Sequence, residues 1–582
     1  MTYLKLMSNA IWAGLYGAAL VVVLLFYLNE DLAAQGILSV LGARALISVA
    51  LIYVPVIAWT LPTLFVCVRF FAARRLGTPW LGLKPVVWFG TITLGALTVA
   101  YYRNLYETTS LLPPPTRESL RLVCATMAGC CLGALCCAGI GQFRIGAAGR
   151  IWRQAAAAFL LVPLAVAPAA IPRRDLLSPV GRATVGSAGG PAGGVGAGQG
   201  TLLLVGLEAA SMDQILPLIS SREIPTFERL AREGASARLD TVRPCVSRVA
   251  WTALATGAAP WANGVRDTRV HSLPLGPEDI TVLPHSLGLR LLERAGVLGS
   301  APLQEGWRRS PTIGEILRSS GEEVELIGWD ADAVVGDAAR QRVEGSRIEA
   351  RVQRILGGTG PRPNGSAARL TVLREAVSAD LAILDLAREG ARGHSGRRPR
   401  LRAIKFSGLG RVSRYFLRYH VPDKFGDVTQ QERDAYGRVI LGYYQFLDDL
   451  LAEQIGAAGP GARVLVTSAY GVEPLPAWET FLRAHFPRLW SEGSIPSGGW
   501  GRSPDGVLLL RGEGVRAGRK IDEADLLDVV PTALYGLGMP IGRDMRGDLL
   551  RRVFEPDYLE THPVHYIPAY ARSDLGAPGR DS

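Results

Sequence analysis

The hydrophobic positions divide the chain into two parts with different patterns. In the second part, short apolar runs without polar alternation, such as Leu202–Leu207 and Arg463–Ser468, alternate with amphipathic stretches, as expected of buried parallel strands and covering helices. The first part instead contains five apolar runs of membrane-spanning length: Asn9–Leu28, Ala45–Val68, Pro85–Tyr102, Leu120–Ile140 and Ala155–Ile171. The pattern predicts an all-α bundle of about five transmembrane helices, followed by an α/β domain with a mostly parallel central sheet.

The stretch from Thr201 to Val265 is the start of the predicted α/β domain. Leu202–Leu207 predicts a buried strand that ends at Glu208, and Asp213–Glu233 has helical spacing with a break at Pro225. Ser247 then precedes an apolar helix. Open α/β sheets place their chemistry at the carboxyl ends of strands, so Glu208 and Ser247 are candidates for a metal ligand and a nucleophile.

A Gly/Ala-rich tract separates the two parts and has almost no large side chains, which predicts a flexible linker. The predicted organisation is a membrane domain over residues 1–175, a linker over 176–200 and an extracytoplasmic domain over 201–582.

The net charge of +11 comes from the membrane part. Residues 1–200 hold 15 Lys/Arg and 5 Asp/Glu, which leaves 48 and 47 for the remainder. The second part is therefore close to neutral and has no basic stripe with interleaved aromatic residues, which argues against a nucleic-acid partner.

The basic residues also predict an orientation. Lys5, Arg69–Lys84 and Arg144–Arg153 flank one side of the spans, whereas acidic residues accompany the arginines of the other side. The basic side should be cytoplasmic, so an odd number of spans places the second part on the outer face of the cytoplasmic (inner) membrane. A cleaved signal peptide is the competing interpretation of the first run, but four more runs follow and no small-residue cleavage site stands out.

Short motifs in the second part resemble a known family. Proline, serine and Ala-Trp-Thr follow one another in Pro244–Thr252, and Ala-Thr-Gly and Pro-x-x-Asn-Gly-Val follow to Val265. Asp528–Pro540 and Asp544–Gly547 are similar to the family's closing signature. These motifs resemble the type I phosphodiesterase and nucleotide pyrophosphatase branch of the alkaline phosphatase superfamily, over roughly Thr201 to Phe554. The resemblance implies an alkaline-phosphatase-like sandwich.

The family's chemistry implies two zinc-type ions held by carboxylates and imidazoles, and here the resemblance departs from the pattern. The first metal ligand aligns with Glu208 as a residual position, and the nucleophile aligns with Ser247. The other ligand positions align with residues that cannot bind zinc or with a phenol: Gly410, Arg414, Ala469, Tyr470 and Arg502 (or Gly501). Asn263 stands where the family has a histidine. We therefore expect no cofactor, and zinc or manganese only if the domain is an enzyme.

Two function classes follow from this alignment. In the first, the domain is catalytically degenerate and binds an anionic ligand, such as a phosphorylated small molecule or a lipid head group, or a protein partner that the sequence does not identify. The candidate ligand-binding residues are Arg248, Arg411, Arg414, Arg502 and Asn263. The alternative for the arginines is that they pair with Glu208, Asp505 and other acids.

In the second class, the chain is a metal-dependent phosphodiesterase or phosphatase, or a phospholipid head-group transferase, with Ser247 as the nucleophile. This class needs an unrecognised ligand set. The seven histidines lie away from the motifs, and His420, His562 and His565 are expected to be packing or solvated residues.

Overall fold

The structure, a computed structural model, describes residues 2–76, 85–143, 147–172, 200–329, 337–357, 366–393, 398–476, 479–480, 496–502 and 504–570. The predicted linker lies almost wholly outside the described residues, so the predicted domain boundaries stay a prediction. Contacts between Cα atoms group the chain into two compact units. One is Met1–Pro179 with Arg266–Leu303, and the other is Val180–Val265 with Gln304–Ser582.

The first unit contains five long helices, one for each predicted apolar run: Thr2–Leu28, Val40–Leu76, Pro85–Glu107, Pro114–Phe143 and Ala147–Ala169. By length and composition, four of them could cross a membrane, and Pro85–Glu107 is not among those four. Short helices at Glu30–Gln35 and Leu289–Arg294 complete the unit's α-helices among the described residues.

The segment Arg266–Leu303 is held in the first unit by buried amide side chains of the apolar helices. The Asn29 amide donates to the Val282 carbonyl at 2.9 Å, and its oxygen accepts from the Val282 N–H at 3.0 Å. The Asn104 amide likewise donates to the His285 carbonyl at 3.0 Å and accepts from the His285 N–H at 2.7 Å. Both asparagines therefore satisfy the backbone of this segment as a neighbouring strand would.

In the part of the chain that the structure describes, the strands are, in chain order, β1 Leu202–Leu207, β2 Ala235–Asp240, β3 Arg269–Ser272, β4 Gly299–Pro302, β5 Val324–Ile327, β6 Leu401–Phe406, β7 Arg463–Ser468, β8 Glu473–Pro474, β9 Gly498–Gly499, β10 Gly506–Arg511, β11 Arg519–Asp525, β12 Ile541–Gly542 and β13 Tyr566–Ile567. Seven of them form the central sheet in the order β11-β2-β10-β7-β1-β6-β5. Only β10 runs antiparallel to its neighbours, so the prediction of a mostly parallel sheet is confirmed.

Among the described residues, the α-helices of the second unit are Met212–Ser220, Pro225–Glu233, Ser247–Thr256, Pro260–Asn263, Ile313–Ser319, Asp337–Gln341, Gly345–Leu356, Ser366–Gly393, Gly408–His420, Gln430–Tyr436, Val439–Ala458, Val529–Gly536 and Pro556–Thr561. Helices cover both faces of the sheet, because every residue of β1, β6 and β7 is buried. Leu203, Val205 and Leu207 of β1 join the main hydrophobic core. Gly206, on the other face, lies against the ring of Trp251 in the helix that begins at Ser247. The sheet and this helix together position the site.

Candidate functional site

The site lies where β1, β6 and β7 end. These strands are parallel neighbours, and Gly206 of β1 is in register with Lys405 of β6 and with Thr467 of β7. Residues at their carboxyl ends therefore meet at one edge of the sheet, as the sequence predicts for Glu208.

Glu208 makes contacts through both of its carboxylate oxygens. The Ser247 hydroxyl donates to Oε1 at 2.9 Å, and the Tyr470 hydroxyl donates to the same oxygen at 2.7 Å. The Lys405 ammonium lies 3.5 Å from Oε2, and only 17% of the Glu208 side chain is exposed. The negative charge of Glu208 is therefore compensated by two hydroxyl donors and one cation of the same chain.

The turn after Glu208 is fixed by its neighbours. Ala209 has a positive φ of 61°, an uncommon conformation for a residue with a side chain. The Ala210 N–H donates to the Ser468 hydroxyl at 3.2 Å, and that hydroxyl donates to the Tyr470 carbonyl at 2.7 Å. These bonds join the ends of β1 and β7 and hold Tyr470 next to Glu208.

Lys405 is the functional candidate that the motifs do not reveal. Its ammonium lies 4.5 Å from the centre of the Trp251 ring, and Trp251 packs edge to face against Trp329 at 5.6 Å. The side chain is 10% exposed. Its signal in the sequence is a second charged residue, after Arg402, near the end of the buried strand Leu401–Phe406. A buried lysine in such a strand needs a partner, and that partner is Glu208.

Gly410 lies directly beside Glu208. A Cβ atom at this position would be 2.9 Å from Cγ of Glu208, closer than real Cβ contacts. As Glu208 is oriented, its side chain takes the space into which a side chain at position 410 would extend. The aligned ligand position is therefore near Glu208 in space and has room only for glycine.

Asp380 supports the helix that carries Gly410. Its carboxylate accepts the N–H groups of Ser407 and Gly408, both at 3.0 Å, and the Tyr443 hydroxyl at 2.8 Å. Complete burial raises the pKa of Asp380 to about 6, although these three hydrogen bonds favour the charged form. Burial likewise raises the pKa of the Tyr470 hydroxyl well above its ordinary value, with the nearby Glu208 charge adding to the effect. Tyr470 is thus a hydrogen-bond donor at neutral pH.

The predicted arginines have different surroundings. The Arg414 guanidinium lies 5.5 Å from the centre of the Trp500 ring, which in turn packs against Tyr470 at 5.3 Å. Arg502 is exposed and pairs with Glu473 at 3.1 Å.

Two further arginines complete this set. Arg411 is exposed and pairs with Glu375, and Arg248 is half-buried in the first turn of the helix that begins at Ser247. The structure therefore brings Arg414 towards the site through aromatic contacts and gives Arg411 and Arg502 carboxylate partners of their own.

Asn263 has a local role in the backbone. It is fully buried, its amide donates to the Ala258 carbonyl at 2.9 Å, and its oxygen accepts from the Val265 N–H at 2.8 Å. Of the three histidines considered in the sequence, His420 contacts Gln214 at 2.6 Å, His562 stacks on Tyr558 at 4.1 Å, and His565 is exposed.

The groups around Glu208 do not fit the two-zinc centre that the resemblance implies. They are one carboxylate, two hydroxyls and an ammonium, and a protonated ammonium has no lone pair with which to bind a divalent ion. Within the part of the chain that the structure describes, no group of three or more His, Cys, Asp or Glu side chains could hold a metal ion.

The model of the type I phosphodiesterase / nucleotide pyrophosphatase family matches residues 202–492, which is half of the chain. The chain belongs to this family. The matched range includes Glu208, Ser247, Lys405, Gly410 and Tyr470, so the residues that meet at the sheet edge all belong to the family region. No curated protein matches the chain.

Solved structures similar to this family member include murine ectonucleotide pyrophosphatase/phosphodiesterase 5, at 10% identity and a TM-score of 0.36, covering 61% of this chain and 100% of the murine one. An inactive form of that murine protein in complex with AMP has 8% identity and a TM-score of 0.37, with the same coverage. Phosphonoacetate hydrolase from Sinorhizobium meliloti 1021, in complex with phosphonoformate, has 16% identity and a TM-score of 0.28, covering 50% of this chain and 62% of the hydrolase.

Proposed function

We propose that this family member is a membrane-anchored protein whose outer domain has lost metal-dependent hydrolysis and acts as an anionic-ligand-binding or interaction domain. The observation that carries the proposal is the set of partners of Glu208. Ser247, Tyr470 and Lys405 satisfy this carboxylate without a metal ion.

The anchoring and the orientation are part of the proposal. Helices of opposite direction bring Asn29, Arg44 and Asn104 to the same segment, Arg266–Leu303, so these residues lie at one end of the bundle. This segment lies within the family region, residues 202–492. The basic clusters around Arg69–Lys84 and Arg144–Arg153 flank the opposite ends of the helices, which supports an outer location of the family region.

The ligand class follows from the charges near the site. Lys405 and Arg414 both lie against tryptophan rings beside Glu208 and Tyr470, which holds cationic groups at the strand ends. Guanidinium and ammonium groups bind phosphate and carboxylate groups well. A phosphorylated small molecule or a lipid head group has this chemistry, and a phosphate group is also what the family's name implies for its ligands.

Calorimetry on the full chain in detergent, with AMP and with inorganic phosphate as probes, tests this proposal. We expect binding by the unaltered chain that is about ten-fold weaker in Arg414→Ala, a loss of about 1.4 kcal/mol. Arg519→Ala, at an exposed position on β11, is the matched control and should bind as the unaltered chain does. Absence of binding by the unaltered chain, or equal losses in both variants, would contradict the anionic-ligand proposal.

A second candidate function rests on Ser247. Its hydroxyl donates to Glu208 from the first turn of a helix, and a hydroxyl next to a carboxylate that can accept its proton is the geometry of an activated nucleophile. This candidate is a phosphodiesterase, phosphatase or head-group transferase, with zinc or manganese held by an unrecognised set of ligands. Turnover of an aryl phosphodiester that is abolished by Ser247→Ala would favour this candidate over the binding domain.

A further inference from the structure

The turn from Leu273 to Pro277 is bound to an apolar helix near its end. The Arg44 guanidinium donates to the Leu275 carbonyl at 2.9 Å, and the Leu275 N–H donates to the Ser48 hydroxyl at 3.2 Å. Gly276 lies against the same Ser48 hydroxyl. Both polar groups of the Leu275 backbone are therefore fixed to one turn of the helix Val40–Leu76.

The side chain of Leu275 is nevertheless exposed. Its exposed fraction is 52%, and the preceding Pro274 is also exposed, whereas Leu273 at the start of the turn is buried. On the helix, Ile47 and Leu51 flank Ser48 in sequence and are 53% and 60% exposed. An exposed apolar surface thus includes both the helix and the turn that is bound to it.

The depth of this turn follows from the charges along the helix. Arg44 and Arg69 lie 25 residues apart, which is about 37 Å of α-helix. A hydrocarbon layer about 30 Å thick, centred between these two arginines, would end about 3–4 Å inside Arg44, between Arg44 and Ser48. The backbone of Leu275 is hydrogen-bonded to both side chains, so Leu275 lies at the boundary of this hydrocarbon layer.

We propose that the turn Leu273–Pro277 is a membrane-contact element that places Leu275 among the lipid acyl chains of the outer leaflet. This inference rests on the membrane anchoring proposed above and adds a second point of contact, made by a segment of the family region itself. The partner is the lipid bilayer, because the exposed surface of the turn continues the apolar surface of a helix long and apolar enough to span it. Arg44 lies where it can contact lipid phosphates.

The test places a photo-reactive benzophenone amino acid in the full chain, in native membranes, and detects lipid adducts by mass spectrometry. Probes at Leu275 and at the neighbouring Pro274 report on the turn. Ile47 is the positive reference for membrane embedding, and Leu216, an exposed leucine of the other unit, is the comparison position.

We expect lipid adducts at Ile47 and, at position 274 or 275, several-fold more adduct than at 216. Adducts at Ile47 with none above the level of 216 at both turn positions would overturn the inference and leave the anchoring intact. No adducts at Ile47 would overturn both. Two adjacent probe positions keep the result decisive if the bulky residue displaces the turn at one of them.

Discussion

Glu208 and Asn29 are both polar side chains taken out of water, but their partners are of different kinds. Glu208 contacts three side chains: two hydroxyls and an ammonium. Asn29, which is 1% exposed, has mainly backbone partners in Leu25, Thr281 and Val282. Side-chain partners can rearrange when one of them changes, whereas backbone partners are fixed by the fold. The Glu208 site can therefore change its chemistry, while the Asn29 contact mainly holds a segment in place.

The largest effect is expected at Asn29, because its replacement leaves backbone groups unsatisfied. Asn29→Leu should lower the free energy of unfolding by about 3–5 kcal/mol, since buried N–H and C=O groups of Val282 and its neighbours lose their partners. Thermal unfolding of the full chain in detergent measures this. Gln35→Ala, at an exposed position six residues later, is the control and should have little effect. Equal effects at the two positions would contradict the contrast.

The next effect is a pH dependence of stability that arises from Asp380, which accepts the N–H groups of Ser407 and Gly408 just after β6. Its pKa of about 6 is above the ordinary value for Asp. The folded chain therefore takes up this proton more readily, and the Asp380 contribution to stability increases as pH falls from about 6 to about 4. Relative to the unaltered chain, the free energy of unfolding of Asp380→Asn should therefore be higher at pH 7 than at pH 4.5, by about 2 kcal/mol.

Unfolding of both proteins across this pH range measures that difference. Asp423→Asn, at an exposed aspartate, is the control, and the pH-dependent difference should be confined to position 380. A difference for Asp380→Asn that does not change with pH would contradict the assignment.

A smaller effect is expected at Gly410. Gly410→Ala should destabilise the chain by about 1–2 kcal/mol, because its Cβ would meet Cγ of Glu208. In the Glu208→Ala background, which removes that atom, the cost should disappear. Gly456→Ala is the matched control: it lies in a helix with open space around it, and alanine there should stabilise by about 0.5–1 kcal/mol. If Gly410→Ala behaves like Gly456→Ala, the two positions do not share space as described.

The smallest effect is the coupling free energy between Glu208 and Lys405, which tests whether they form a defined ion pair. A double-mutant cycle of Glu208→Gln and Lys405→Met should give a coupling free energy of about 1 kcal/mol, since the two charges are only partly screened at 3.5 Å. The same cycle with Arg411→Met in place of Lys405→Met should give no coupling, because Arg411 pairs with Glu375. Coupling at both positions would mean that the site has a diffuse charge rather than the defined pair.

The fold of the second part could be predicted from its local pattern, and the partners within the site could not. Leu202–Leu207 and Arg463–Ser468 are strands as predicted, because parallel strands covered on both faces leave continuous apolar runs. The break predicted at Pro225 is also confirmed, with separate helices on either side. Tyr470 and Lys405, in contrast, contact Glu208 from the ends of neighbouring strands. The order of residues along one strand does not reveal contacts between strands.

The sequence pattern likewise could not predict that Arg266–Leu303 belongs to the first unit. This segment has no spanning apolar run, and its contacts depend on two asparagines, Asn29 and Asn104, at distant positions of the chain. From the sequence alone, a polar residue at the end of an apolar helix is expected to be exposed to solvent. Only the spatial arrangement shows that its partners are the backbone groups of another segment.

The metal content of the purified full chain, measured together with turnover of an aryl phosphodiester, decides between a binding domain and a metal-dependent enzyme. The full chain is required because Arg266–Leu303 belongs to the same unit as the apolar helices. We expect well below one zinc or manganese ion per chain and no turnover that depends on Ser247. Close to two metal ions per chain, with turnover lost in Ser247→Ala, would contradict this expectation and establish the enzyme.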